Sequence, residues 1–424
     1  MRLYDVTVEY QKEPIGLDVC PRFSWKLESQ EQNTYQKAYE IRVTKAGEEV
    51  WSSGRVENGQ SLFVTYAGSA LEAFSHYDVD LCVWDNHGNA AETTTFFETG
   101  LMAEDNWEGA WITTKEELPA VKTFSKEVCL QKGKKLRQAR IYASALGVYD
   151  LEIDGRKVGD AYLAPGWTSY GNRVQYQTYD VTDELQEKSL VSLVVGNGWY
   201  AGYLNGEGEH HLYGKKTACI AMIRITYEDG SVDVMGTDAS WLVSENAIRS
   251  SEIYMGETRD LTLLLSDHYA GDSQAVLLEK DAIPKRLISQ EAEPIRITKR
   301  FPVVQKILTP KGELVFDFGQ NMAGLVEVEL PPLSLLTGEK KEIRITHGED
   351  GNFYNENYRT AKSEDLYRYG EGDVGKKVIP HFTYHGFRYI RVEGVEASID
   401  AKYFTACAMH SDMQKAGAMT TSNH

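Results

Sequence analysis

Short runs that alternate between apolar and polar residues dominate this chain. Tyr39-Glu40-Ile41-Arg42-Val43 and Tyr77-Asp78-Val79-Asp80-Leu81-Cys82-Val83-Trp84 switch character at every step or nearly so. A period of two marks a strand with one buried face. Turn residues punctuate the runs, as at Glu57-Asn58-Gly59 and Asp85-Asn86-His87-Gly88-Asn89. Residues 1–103 therefore predict a small β-sandwich of the fibronectin type III kind. Trp25 and Trp51 are its expected buried anchors.

A break at Met102-Ala103-Glu104-Asp105-Asn106 opens a second module, residues 104–265. At its centre Tyr149, Leu151 and Ile153 share one strand face, and Asp150, Glu152 and Asp154 share the other. Asp154-Gly155 predicts a hairpin turn returning through Arg156-Lys157-Val158. Leu190-Val191-Ser192-Leu193-Val194-Val195 is nearly continuous in apolar character, as expected of a central strand covered on both faces. Two long loops interrupt the module. One runs from Ala164 to Arg173, the other from Gly196 to His211; loops of that length in a compact domain are often functional.

Residues 266–292 are weakly patterned and read as a crossing connection. A third β module follows at 293–413, with strands such as Glu313-Leu314-Val315-Phe316-Asp317-Phe318 and Phe387-Arg388-Tyr389-Ile390-Arg391-Val392. Residues 414–424 form a short tail. No long helical period stands out, so the expected class is all-β, a multi-domain set of sandwiches. The 424 residues are consistent with roughly three domains, at ~100–200 residues each.

Charge narrows the partners. Lys plus Arg is 45 and Asp plus Glu is 63, for a net charge of −18. That balance opposes binding to nucleic acid, which needs cations to neutralise phosphates, and opposes docking on an anionic membrane. The five cysteines are scattered and show no metal-ligand spacing, so neither a zinc site nor a disulfide framework is expected. The N-terminus has no apolar signal core, which makes the cytoplasm the expected compartment.

Several segments, in order, resemble one family. They are Tyr149 to Asp160, Leu163-Ala164-Pro165-Gly166-Trp167-Thr168-Ser169-Tyr170, Gly196-Asn197-Gly198-Trp199-Tyr200-Ala201-Gly202, Glu252-Ile253-Tyr254-Met255-Gly256-Glu257-Thr258, Phe316 to Gly324, and Phe382-Thr383-Tyr384-His385-Gly386-Phe387-Arg388-Tyr389. Together they resemble the N-terminal and middle β domains of bacterial α-L-rhamnosidases of glycoside hydrolase family 78. The resemblance implies a parent reaction, inverting hydrolysis of terminal α-L-rhamnose, in an α/α barrel that follows these modules. Inversion uses two carboxyl groups ~6.5–9.5 Å apart. The family's acidic motifs lie in the barrel, and no segment here matches them, so no catalytic residue is assigned. His410-Ser411-Asp412-Met413 resembles the entry to the barrel, which makes a non-catalytic N-terminal portion the expected identity. The resemblance also implies a galactose-binding-like jelly roll for 104–265, a concanavalin-like sandwich for 293–413, and calcium as an aid to sugar binding in the jelly roll.

A sugar site needs an aromatic face and a few planar polar groups. The two loops offer Trp167, Tyr170, Asn172, Asn197, Trp199 and Tyr200 as substrate-binding candidates. Two readings stand for Trp167: a hydrophobic plug of its loop, or a stacking platform. His210-His211 beside Glu207 and Glu209 reads as a solvated loop before it reads as a metal site. Asp350-Gly351-Asn352 reads as a turn. Asp317, Gln320, Asn321 and His347 read as one polar set in the third module, and Glu349 with Glu356 is a weak carboxylate pair. The partners expected are L-rhamnose-containing glycosides or another carbohydrate. A homodimer, or contact with a separate catalytic domain, would use an apolar patch around Phe316-Asp317-Phe318 and Phe382 to Tyr389. Two further roles fit the same residues: a stand-alone carbohydrate-binding protein and a structural interaction module.

Overall fold

The computed structural model describes residues 1–115, 121–204, 209–263, 273–349, 361–415 and 417–422. Strands dominate throughout, and the one α-helix among the described residues is the single turn Gly198–Ala201. No helix there is long and apolar enough to cross a membrane. The chain forms two compact units, Met1–Glu108 with Leu287–Ser289, and Gly109–Arg286 with Gln290–His424.

The first unit is a sandwich. A four-stranded sheet runs Glu48–Ser52, Gln36–Lys45, His76–Asp85, Ala90–Glu98, and a three-stranded sheet runs Arg2–Val8, Arg22–Glu28, Val64–Thr65. The alternation read from sequence is realised: Tyr39, Ile41, Val43, Tyr77, Val79, Leu81 and Val83 all point into one core. Trp25 is buried there and its indole N–H donates to Gln36 Oε1 at 2.9 Å, which removes the cost of burying that donor. Trp51 is only half-buried.

The second unit begins with two antiparallel sheets. One has the order Arg156–Lys157, Val148–Ile153, Lys188–Gly196, Lys122–Cys129, Leu242–Glu245, Ser273–Gln274. The other includes Val276–Leu277, Ile112–Thr113, Ala218–Tyr227, Leu136–Leu146 and Val174–Asp180. Their shared core holds Tyr149, Leu151, Ile153, Val191, Leu193, Ile223 and Trp241. Asp154 and Gly155 both adopt positive φ, 50° and 73°, and close the expected hairpin with Glu152 opposite Lys157. Residues 273–277 are not the bare crossing expected of 266–292. Ser273–Gln274 and Val276–Leu277 each add a short edge strand to one of these sheets.

The remaining sheet of this unit holds ten strands among the described residues. Eight run Ile248–Glu252, Gly256–Asp260, Glu364–Arg368, Glu342–Gly348, His385–Glu393, Leu314–Glu329, Phe404–Ser411, Ile295–Pro302; Gln305–Leu308 and Lys377–Val378 both pair with Leu314–Glu329. The sheet thus takes in residues 248–260, which the sequence reading placed in the module before. Gly256–Asp260 runs parallel to Glu364–Arg368, and Gly256, at φ +100°, packs against the Glu364 carbonyl where no Cβ would fit. Phe316, Phe318, Phe382 and Phe387 are buried. The apolar patch expected around them is therefore core, not surface: a strand buried on its apolar face cannot also offer that face to a partner.

Candidate functional site

The two long loops of the jelly-roll module do meet. The first is tied to the sheet where the Tyr149 N–H donates to the Ala164 carbonyl at 2.7 Å. The second leaves strand Lys188–Gly196 and turns through Gly198, whose φ of +51° and close approach to Val148 leave no room for a side chain. Trp167 then lies parallel to Trp199, with ring centroids 6.0 Å apart and planes 8° apart. Tyr170 packs edge-on to Tyr200 at 5.2 Å and against Tyr213 at 5.0 Å. The Trp167 indole N–H donates to the Tyr213 hydroxyl at 3.3 Å.

The candidates divide by exposure. Trp167 is 51% exposed, whereas Trp199 is 7%, Tyr200 6% and Tyr170 3% exposed. Tyr170, Trp199 and Tyr200 are thus largely buried, and Trp167 is the well-exposed ring among the four aromatic candidates. Burial also pushes the Tyr170 and Tyr200 hydroxyls up from their ordinary values. Asn172 is exposed and its amide donates to Ser169 Oγ at 3.0 Å. Asn197 is half-buried and faces the other way: its Nδ2 donates to Glu252 Oε1 at 2.8 Å.

Glu252 is the polar base of the second loop. The Tyr203 N–H donates to its other oxygen at 3.2 Å. Burial raises the Glu252 pKa, while the bonds from Asn197 and Tyr203 oppose that rise. Sequence reasoning did not select Tyr213 or Glu252. Tyr213 sits among polar residues at the end of a loop, and Glu252 lies 55 residues from its partner Asn197. The only signal for Glu252 was its place at the head of a family-like segment.

Calcium takes about 6–8 oxygen ligands. Glu252, the carboxylate at the foot of the loops, already has both oxygens engaged. No three histidine, cysteine or acidic side chains converge there among the described residues. His210 and His211 are exposed, with ring centroids 4.2 Å apart. Glu207, Asp350-Gly351-Asn352 and Glu356 lie outside the described residues.

The expected polar set of Asp317, Gln320, Asn321 and His347 is not one site. Asp317 is held by Arg388 through two bonds of 2.8 and 2.9 Å and accepts from the Gly319 N–H. Gln320 and Asn321 are exposed, and His347 is buried elsewhere. The long strand Leu314–Glu329 shifts register between Asp317 and Met322, which separates residues that look adjacent in sequence.

This is a multimodular all-β protein with an aromatic loop platform, and no α/α barrel is present among its described residues. The chain belongs to the bacterial α-L-rhamnosidase family, of which it carries three β modules. Residues 3–103 match the Rha78A-like N-terminal immunoglobulin domain, residues 134–299 the α-L-rhamnosidase N-terminal domain, and residues 307–410 the bacterial α-L-rhamnosidase concanavalin-like domain. An α-L-rhamnosidase of Streptomyces avermitilis is 26% identical over 97% of this chain and 57% of its own length. The crystal structure of native α-L-rhamnosidase from Aspergillus terreus is 30% identical, covers 100% of this chain and 50% of that one, and superposes with a TM-score of 0.88. The α-L-rhamnosidase of Dictyoglumus thermophilum is 29% identical, with 97% and 49% coverage and a TM-score of 0.84. The chain spans about half the length of the curated relatives it matches.

Proposed function

We propose that this chain supplies the sugar-recognition and scaffold part of an α-L-rhamnosidase, and that Trp167 is the surface on which L-rhamnose sits. The observation that carries this reading is the half-exposed Trp167 ring held flat by Trp199 beneath and by Tyr213 at its edge. A large aromatic ring is ordinarily buried on both faces. One that is fixed in place and left open on the other face suits the C–H face and the C5 methyl of a deoxysugar. Asn172, exposed in the same loop, offers a planar amide for a hydroxyl pair. In this reading the stacking surface itself, rather than a bound ion, carries the recognition.

The parent activity is hydrolysis of terminal α-L-rhamnose from glycosides, with chemistry outside these β modules. The test is p-nitrophenyl α-L-rhamnoside mixed with the purified chain. The expected result is binding with no release of nitrophenolate. Release at enzyme-like rates places the chemistry within these modules and overturns the division of labour. Absence of binding overturns the recognition role.

A further inference from the structure

The third module buries a cluster unrelated to the aromatic platform. His347, Asp365 and His385 sit on strands Glu342–Gly348, Glu364–Arg368 and His385–Glu393, and all three are at most 3% exposed. One donor atom from each lies within 4.8 Å of the other two. His347 Nδ1 lies 2.8 Å from the Ser363 carbonyl oxygen. A carbonyl only accepts, so Nδ1 carries the proton and the neutral ring presents a bare Nε2 lone pair.

That lone pair faces Asp365 Oδ2 at 3.6 Å, and both atoms are buried without a hydrogen-bond partner. Two acceptors facing each other in a dry core repel unless something positive lies between them. At 3.6 Å the gap is too long for a shared proton. His385 Nε2 is 3.4 Å from Asp365 Oδ1. Bonds of ~2.0–2.1 Å in a tetrahedral shell place neighbouring ligand atoms about 3.3–3.4 Å apart, close to both distances. Asp365 Oδ1 is also oriented by the Glu257 N–H at 2.9 Å, and the Nδ1–H of His347 by Ser363. Both are the kind of outer bond that fixes metal ligands.

We propose that His347, Asp365 and His385 form a structural site for a borderline divalent transition metal, of which Zn2+ is the probe. Two imidazoles and one carboxylate suit zinc rather than calcium. The two rings stack at 3.9 Å with planes 23° apart, so a shared ion turns His385 while Ser363 holds His347. The ion pins three adjacent strands of the sheet together. None of the ligands neighbours another in sequence, so their spacing resembles no metal motif.

The test is Zn2+ added to the chelator-stripped full chain, then gel filtration and metal analysis. The expected result is one Zn2+ retained per chain and a Tm at least ~2 °C higher, with no such effect from Ca2+. His347→Gln and Asp365→Asn should each weaken binding at least ~100-fold. His210→Ala with His211→Ala, which removes the exposed histidine pair, should leave it intact. In the wild-type chain, nitrogen-15 spectra of the histidine rings should show two Nε2 signals moving on Zn2+ addition; this reading needs no variant to fold. No retained Zn2+, retention that depends on His210 and His211, or ring signals unmoved at stoichiometric Zn2+ would each overturn the site.

Discussion

His381 Nδ1 stands 2.6 Å from Asp150 Oδ2, and Lys157 Nζ stands 2.8 Å from the other oxygen of that carboxylate. Asp150 belongs to the jelly-roll sheet and His381 to the segment entering strand His385–Glu393, so one buried carboxylate bolts the two parts of the second unit together. The bolt continues: Arg259 reaches His381 Nε2 at 3.2 Å, and the His381 N–H donates to Glu257 Oε2 at 2.9 Å. Asp150→Ala strips the partner from a largely buried lysine and from His381. Breaking a buried pair in this way costs ~3–5 kcal/mol, to be read from denaturant unfolding of the chain. A loss under ~1 kcal/mol would show that the bolt is dispensable.

The same carboxylate sets an acid limit. Burial acts to raise the Asp150 pKa, but the charge on Lys157 and the bond from His381 outweigh burial and leave it at about 2. A depressed carboxylate stabilises the fold above its unfolded pKa, about 4, and that contribution drains away as pH falls through about 2. Wild-type Tm should therefore drop between pH 4 and pH 2 more steeply than that of Asp150→Asn. Parallel curves for the two proteins would contradict the assignment.

Gly256 holds the parallel pairing of the ten-stranded sheet, between Gly256–Asp260 and Glu364–Arg368. At φ +100° any side chain is strained by ~1–3 kcal/mol, and an added Cβ also meets the Glu364 carbonyl. Gly256→Ala should destabilise the chain by more than that strain alone, whereas Gly230→Ala, strained but in open space, should cost no more than the strain. Equal losses in thermal unfolding would show that the strands do not pack as described.

Platform and support should separate on mutation. Trp199 is buried, and Trp199→Ala should cost ~3–5 kcal/mol of stability. Trp167 keeps one face in water, and Trp167→Ala should cost under ~2 kcal/mol. Circular dichroism melts of the two variants check the order.

Much of this was readable from the residues. Alternation placed Tyr149, Leu151 and Ile153 in the core, and the Asp154-Gly155 dipeptide marked the hairpin. The sequence misled where tertiary contact overrode a local pattern. Asp150 sits on the polar face of its strand, yet it is buried, because His381 lies 231 residues away and covers it. Tyr170, Trp199 and Tyr200 look like open ligand contacts in a loop; in three dimensions they are largely buried, Trp199 against Trp167 and Tyr170 against Tyr200. His347, Asp365 and His385 come from three strands whose facing side no single-strand pattern reveals.

The most direct test of the recognition surface is calorimetric titration of the purified chain with L-rhamnose, wild type beside Trp167→Ala, with and without Ca2+. The account predicts saturable heat from the wild type that is unchanged by Ca2+ and lost in the folded Trp167→Ala variant. Undiminished heat after removal of Trp167, or heat that appears only when Ca2+ is added, would contradict it.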